Sequence, residues 1–230
     1  MVLLAAWSCV GTLAGAQEVR QVVLPSAAAA ADANTHLAFP WDCALSASSL
    51  RQQQIYRGTE IGRGEITELR FRQDAGLGSA FGPSVLDNVT IRLGTTDREI
   101  DLMSLVFSEN LGTGSQIVYQ GSLSLTSAGS AASPRPFDIV VPLQDGYSFR
   151  GGENAHLVLD VTLPSCASTT LLDAAFEVDD EVARIWETDA TAAAATRTDT
   201  AGLVTQIVIQ ILFSDGFEDG NALRWSSTVP

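Results

Sequence analysis

The feature that most constrains this chain is a period of two. In residues 65–72, EITELRFR, the side chains Thr67, Leu69 and Phe71 alternate with Glu68, Arg70 and Arg72. That is the pattern of a strand with one face buried and the other in water. NVTIRL (88–93) repeats it with Val89, Ile91 and Leu93. PFDIVVPL (136–143) does so with Phe137, Ile139, Val141 and Leu143, and HLVLDVTL (156–163) with Leu157, Leu159, Val161 and Leu163. Further strands are expected at 115–125, 171–178, 181–188 and 203–211, with Gly, Pro, Asp and Ser clusters between them. Only 97–110, DREIDLMSLVFSEN, places apolar residues (Ile100, Met103, Leu105, Val106) near helical spacing, which predicts one short helix. About eight to ten short strands separated by turns imply an all-β fold, an antiparallel two-sheet β-sandwich or jelly roll.

A chain of 230 residues that is 46% apolar can bury a full core, and one domain is the default at this length. The strand pattern assigns that domain to 41–213. Before it, 17–40 reads as an Ala-rich linker, in which PSAAAAADANT (25–35) offers little to pack and is expected to be mobile. After it, 214–230 reads as a tail.

The chain opens with an apolar run from Val2 to Ala16, and Ala14-Gly15-Ala16 before Gln17 has the small-x-small form of a signal-peptidase site. The run is shorter than the roughly 20 residues of a spanning helix. The expectation is an export signal over 1–16, cleaved between Ala16 and Gln17. No Lys or Arg precedes the run, and a start upstream of Met1 would supply one. Lipidation at Cys9 fits poorly, because Ala6-Trp7-Ser8 puts an indole beside the bond to be cut.

Cleavage would remove Cys9 and leave Cys43 and Cys166. An oxidising compartment favours their pairing, the alternatives being two free thiols or an intermolecular bridge. A structural zinc site is not expected, since only His36, His156 and two distant cysteines remain, without close ligand spacing. The sequence implies no cofactor.

With 27 acidic residues against 13 basic ones, all arginine, the formal net charge is −14. A surface of this sign repels phosphate backbones and anionic lipid, which argues against nucleic acid and membrane surfaces as partners. No membrane insertion is expected once the leader is removed.

Several stretches carry a resemblance. SLRQQQIYRGTEI, ITELRFRQDAGLGSAFGPSVLDNVTIRLGTT, SENLGTGSQIVYQGSLSLTSAG, PFDIVVPLQDGYSFRGGENAHLVLDVTLPS and DDEVARIWETDA followed by TDTAGLVTQIVI, together about residues 45–210, resemble a group of exported bacterial β-sandwich proteins that often end in a PEP-CTERM sorting segment. The resemblance implies the fold and export; it carries no catalytic signature. The chain departs from the group at its end, because 212–230 has no Pro-Glu-Pro, no apolar helix and no basic terminus.

The spacing Asp-Gly-Phe-Glu-x-Gly-Asn-x-x-x-Trp-Ser in that tail instead resembles a short segment that ends otherwise unrelated exported bacterial proteins. The plainer alternative is that Phe217 and Trp225 tuck against the sandwich edge. An EF-hand alignment puts Asp215, Asp219 and Gly220 in place but sets Phe217 and Ser226 where two oxygen ligands belong. Only a weak calcium site using Asp215, Glu218 and Asp219 survives that test.

No catalytic motif is complete. GSAFG (78–82) and GTGSQ (112–116) misplace the serine of a nucleophile elbow, and a chain without lysine has no Walker motif. The densest carboxylates, Glu177, Asp179, Asp180 and Glu181, fall where two strand patterns meet and read as a solvated hairpin turn. His156 opens a strand and reads as an edge residue. The aromatics Trp41, Trp186, Trp225, Tyr56, Tyr119 and Tyr147 are candidates for sugar stacking, but each has a packing explanation, Trp41 near Cys43 above all.

These readings favour a non-enzymatic exported protein with a structural or interaction role outside the cell or at its surface. Its expected partners are extracellular polysaccharide or another surface protein. A carbohydrate-binding module is the alternative, and a hydrolase using paired carboxylates the second.

Overall fold

The computed structural model describes residues 18–176 and 181–211. The expected leader with its Ala16/Gln17 junction, the carboxylates Glu177, Asp179 and Asp180, and the tail with Asp215, Glu218, Asp219 and Trp225 lie outside the described residues.

The fold is all-β, and every strand pairing is antiparallel. One sheet has four strands in the order β1 (Glu18–Leu24), β13 (Thr205–Ile211), β4 (Arg63–Phe71) and β7 (Ile139–Arg150). The second has six, in the order β11 (Arg197–Asp199), β10 (Val182–Glu187), β3 (Leu50–Tyr56), β8 (His156–Leu163), β5 (Phe81–Thr96) and β6 (Gln116–Ser127). A small third sheet joins β12 (Ala201–Leu203), β9 (Leu172–Phe176) and β2 (Thr35–Leu37).

One core lies between the two large sheets. Leu69, Phe71, Val141, Phe149, Ile207 and Ile209 come from the four-stranded side, and Leu50, Tyr56, Ile91, Leu93, Leu159 and Val161 from the six-stranded side. The alternations at 88–93 and 156–163 place their apolar sets in this core. In β4, however, Thr67 is an extra residue against β13, where Glu68 pairs with Val208 and Ile66 with Ile209. This bulge turns Ile66 inward in place of Thr67, since one inserted residue reverses the face of everything beyond it.

Arg72, expected on the wet face, is 1% exposed. It lies just past the end of β4, where the chain leaves the sheet, and its guanidinium pairs with Asp173. The residues 17–40, expected as a linker, are corrected as well. β1 pairs along its whole length with the last strand, from Glu18 opposite Ile211 to Leu24 opposite Thr205. Leu24 and Ala28 are buried, and Arg72 donates to the carbonyls of Ala28 and Ala31. The alanines are small enough to let their backbone reach that buried cation.

The expected helix over 97–110 is replaced by two 3-10 turns, Ile100–Leu102 and Phe107–Asn110. The Asn110 side chain accepts from the Ser104 N–H at 2.8 Å and donates to the Ser104 carbonyl at 2.8 Å, taking backbone groups a helix would use. Ile100 and Phe107 then cover the outer face of the six-stranded sheet against Ile55, Val158 and Ile185. Among the described residues the single α-helix is instead α1, Gly58–Ile61, one turn long.

Because both its faces are covered, β3 is buried although it reads LRQQQIY. On the outer face, Gln53 donates to Phe107 O at 2.9 Å and to Asp160 at 3.1 Å, and accepts from Asn110 at 2.9 Å. Arg51 grips the same Asp160 with two N–H groups at 3.2 and 2.8 Å. On the inner face, Gln54 donates to the Leu203 carbonyl at 3.0 Å and accepts from the Leu203 N–H at 2.9 Å. Its side chain thereby replaces a strand partner for β12.

Candidate functional site

The cysteines come first, because their positions follow from the sheet. β3 and β8 are neighbours, with Leu50 opposite Leu163. The chain before β3 and the chain after β8 therefore emerge at the same end. There Cys43 and Cys166 are bonded, with Cα atoms 5.2 Å apart across 123 positions. Backbone bonds from Cys43 N to Ala167 O and from Cys166 N to Ser48 O hold both loops. Trp41, 1% exposed, shares the core with Cys43 and packs edge-on to Phe71 at 5.5 Å.

The other end of the β3–β8 pair carries a cavity of about 370 Å³ lined by Arg57, Thr59, Glu99, Ile100, Asp101, Glu153 and His156. Its floor depends on glycine. A Cβ on Gly58 would stand 1.7 Å from the Ala155 carbonyl oxygen, and one on Gly151 would stand 2.0 Å from Gly58 O. Only glycine lets the 151–155 turn press against α1 this closely. Gly62, at φ +77°, ends α1 in a conformation that side chains resist.

That contact sets His156 in place. The Gly58 N–H donates to its Nδ1 at 3.2 Å, and the ring is 6% exposed. In the neutral imidazole the proton therefore sits on Nε2. Burial lowers its pKa from the ordinary 6.5; the carboxylate of Glu99 acts against that shift and Arg57 acts with it. His156 is thus a buried group at a cavity wall rather than the edge residue expected from sequence.

Glu181 borders the same region. The strands on either side, β9 and β10, are not paired with each other as the expected hairpin requires but belong to different sheets. The reason is that β9 is recruited by β2 and β12, whereas β10 joins β3. The Glu181 carboxylate accepts from the Ser26 N–H at 3.0 Å, and its carbonyl accepts from the Arg57 N–H at 3.0 Å. Burial, followed by the neighbouring charge of Glu60, raises its pKa above the ordinary 4.5.

Among the described residues no serine or cysteine lines the cavity. Among the described residues no three His, Cys, Asp or Glu side chains converge closely enough to hold a metal ion. The other histidine, His36, is exposed on β2 and far from this cavity in the topology, in the small third sheet.

The aromatic candidates are distributed inward. Tyr56 bonds Thr205 Oγ1 at 2.6 Å, Tyr119 donates to Ser122 O at 2.7 Å, and Tyr147 meets Thr95 Oγ1 at 3.0 Å; all three rings are buried. Trp186 is partly buried beneath the guanidinium of Arg184, 4.3 Å from the ring centroid. The described residues therefore present no row of exposed rings. The disulfide is legible in the sequence, but the cavity is not, because its parts come from three separate segments. The glycines of GGENAH and YRGTEIGRG are the one signal in the sequence that points to it.

Among the described residues, no helix is long and apolar enough to cross a membrane. Comparison with protein-family models, curated proteins and solved structures finds no match to this chain.

Proposed function

We propose that the chain is an exported, non-enzymatic β-sandwich that acts as an interaction module outside the cell or at its surface. The observation that carries this reading is the Cys43–Cys166 bond, which clamps the β3–β8 end and belongs in an oxidising compartment. The apolar leader and the resemblance to exported bacterial β-sandwich proteins agree with it. So does the strongly acidic surface, which keeps a secreted protein soluble and self-repelling.

A non-enzymatic role is favoured by how the buried carboxylates are used. Asp160 and Asp173 are each committed to an arginine. Among the described residues, neither serine nor cysteine lines the cavity beside His156. Sugar recognition by ring stacking is not the favoured role, because Trp41, Tyr56, Tyr119 and Tyr147 are inside.

The test is expression from the native sequence in a bacterial host, with fractionation and non-reducing peptide mapping. Recovery outside the cytoplasm with a Cys43–Cys166 peptide and an N-terminus at Gln17 supports the proposal. An intact Met1 in the cytoplasm with both thiols alkylated sinks it.

A further inference from the structure

We propose that the pocket beside Asp32 is a binding site for a primary alkylammonium group, as carried by a lysine side chain or a small free amine. The inference names the chemistry that a partner of the proposed interaction module would present, and it rests on that reading for its role.

The pocket lies between the 25–34 segment and β9 and holds about 170 Å³. Pro25, Ala27, Ala28, Ala33 and Ala175 give it apolar walls, and Asp32 and Asn34 supply its polar side chains among the described residues. The space is smaller than the roughly 300–1,000 Å³ of sites for drug-sized ligands, so it suits one slender chain. Walls of alanine and proline shelter methylene groups from water.

Asp32 is the independent sign of a ligand. Its Oδ2 accepts from Ser133 Oγ, whereas its Oδ1 is shut from solvent and accepts no hydrogen bond among the described residues. A buried acceptor left unmet is costly, and a donor brought by a ligand removes that cost. The terminal torsion of an aspartate is soft, so the carboxylate can turn Oδ1 toward the pocket. Its charge is left over as well. Asp173 lies near enough for the charge of Asp32 to act on it but is itself matched by Arg72, and no arginine pairs with Asp32 among the described residues.

The ligand that fits is a cationic donor on an apolar stem. Asn34 does not serve a more elaborate molecule, since its amide donates to the Phe176 carbonyl and accepts from the Phe176 N–H, both at 2.8 Å. An ammonium sets one N–H on the carboxylate and turns the others to the pocket mouth, while its stem lies along the alanines. A guanidinium would press a plane of five N–H groups against the same alanines, with one carboxylate to receive them. A bare metal ion would find a single carboxylate there, and no three ligating side chains converge among the described residues. A second copy of this chain has no lysine to offer, so the group comes from another molecule.

The experiment is an NMR titration of the full mature protein, observing the backbone amides of Ala27, Ala33 and Ala175. The probes are N-acetyl-lysine amide and n-butylamine as the peptide-like and free sources, with N-acetyl-arginine amide, n-butanol and calcium chloride as controls. The expected result is a saturable shift with an amine probe, at a Kd on the order of 1 mM. Binding should weaken about tenfold or more in Asp32→Asn, which keeps the shape and removes the charge. It should also be lost in Ala27→Leu, which fills the pocket from an exposed position and keeps the test readable if Asp32→Asn disturbs the fold.

A stronger response to the peptide-like probe identifies a protein partner, and an equal or stronger response to butylamine a free amine; either supports the site. No shift with either amine, an undiminished shift in either variant, or an equal shift with the arginine probe, butanol or calcium overturns it. These outcomes are separate from those of the export test. A reduced, cytoplasmic protein that still binds the amines would sink the functional reading and keep the site.

Discussion

Arg72 and Asp173 form an ion pair sealed from solvent: Nη2 and Oδ2 are 2.6 Å apart, and the side chains are 1% and 0% exposed. The pair joins the end of β4 to β9, and its spare groups reach further. Arg72 donates to the carbonyls of Ala28 and Ala31 at 2.9 and 2.6 Å, and Asp173 accepts from the Ala33 N–H at 3.1 Å. Three backbone groups of the 28–33 segment thus depend on two side chains.

Removing one partner should therefore cost far more than removing both. Arg72→Met leaves a buried carboxylate unpaired, and the expected loss is about 3–5 kcal/mol. The Arg72→Met/Asp173→Leu double variant should lose less than the sum of the single changes. Urea unfolding of the four proteins measures this. Additive losses would mean that the pair is not coupled.

Hydrogen exchange gives the local counterpart. In Arg72→Met the amide of Ala33 should lose protection before those of β8, because the 28–33 segment is held by this pair and not by a sheet of its own. Uniform loss across the fold would show that the segment is anchored by something else.

What the sequence disclosed follows from where each strand lies. β8 and the second half of β5 were legible because Val89, Ile91, Leu93, Leu157, Leu159 and Val161 are aliphatic and face a core. β3 was not, since three consecutive glutamines hid a strand buried on both faces; Gln53 and Gln54 find partners as remote in sequence as Asp160 and Leu203. β1 was hidden because its pairing is with the far end of the chain. Arg72 followed the local alternation and broke it, since its environment is set by Asp173, 101 positions away. The disulfide was legible by cysteine arithmetic. The cavity was not, because Arg57, Glu99, Glu153 and His156 meet only when β3, β8 and the 97–103 loop are in place.

Gln54 shows how such a hidden strand can be tested. Its amide completes two hydrogen bonds with Leu203, both buried, so Gln54→Ala strands a backbone donor and an acceptor. The expected cost is about 2–4 kcal/mol. The Leu203 amide should show the largest gain in exchange rate. A cost below about 0.5 kcal/mol would mean that the Leu203 backbone finds other partners.

The disulfide makes a separate prediction. Closing a loop across 123 positions restrains the unfolded chain, worth at most about 4–5 kcal/mol in the chain-entropy picture. At about 2–4 °C per kcal/mol for a chain of this size, Cys43→Ser/Cys166→Ser should melt roughly 10 °C lower. Scanning calorimetry with and without reductant checks it. The wild type should fall to the variant's midpoint when reduced, while the variant should not respond to reductant.

His156 links the cavity to pH. Its pKa in the folded protein lies below the ordinary 6.5, chiefly because burial disfavours the charged ring. Between the folded value and 6.5 the unfolded chain binds more protons than the folded one, so stability falls as pH drops through that window. Glu181 acts in the opposite sense, because its raised pKa makes the folded state the stronger proton binder from 4.5 upward, and the stability it adds is lost as pH rises through its folded value. The two effects are separated by His156→Gln, which removes only the first. Urea midpoints measured from about pH 7.5 down to about pH 5 should fall less steeply in His156→Gln than in the wild type. The ring resonances of His156 should titrate with a midpoint below 6.5. A midpoint at or above 6.5, or parallel stability curves for the two proteins, would show that the ring is not held neutral by its burial against Gly58.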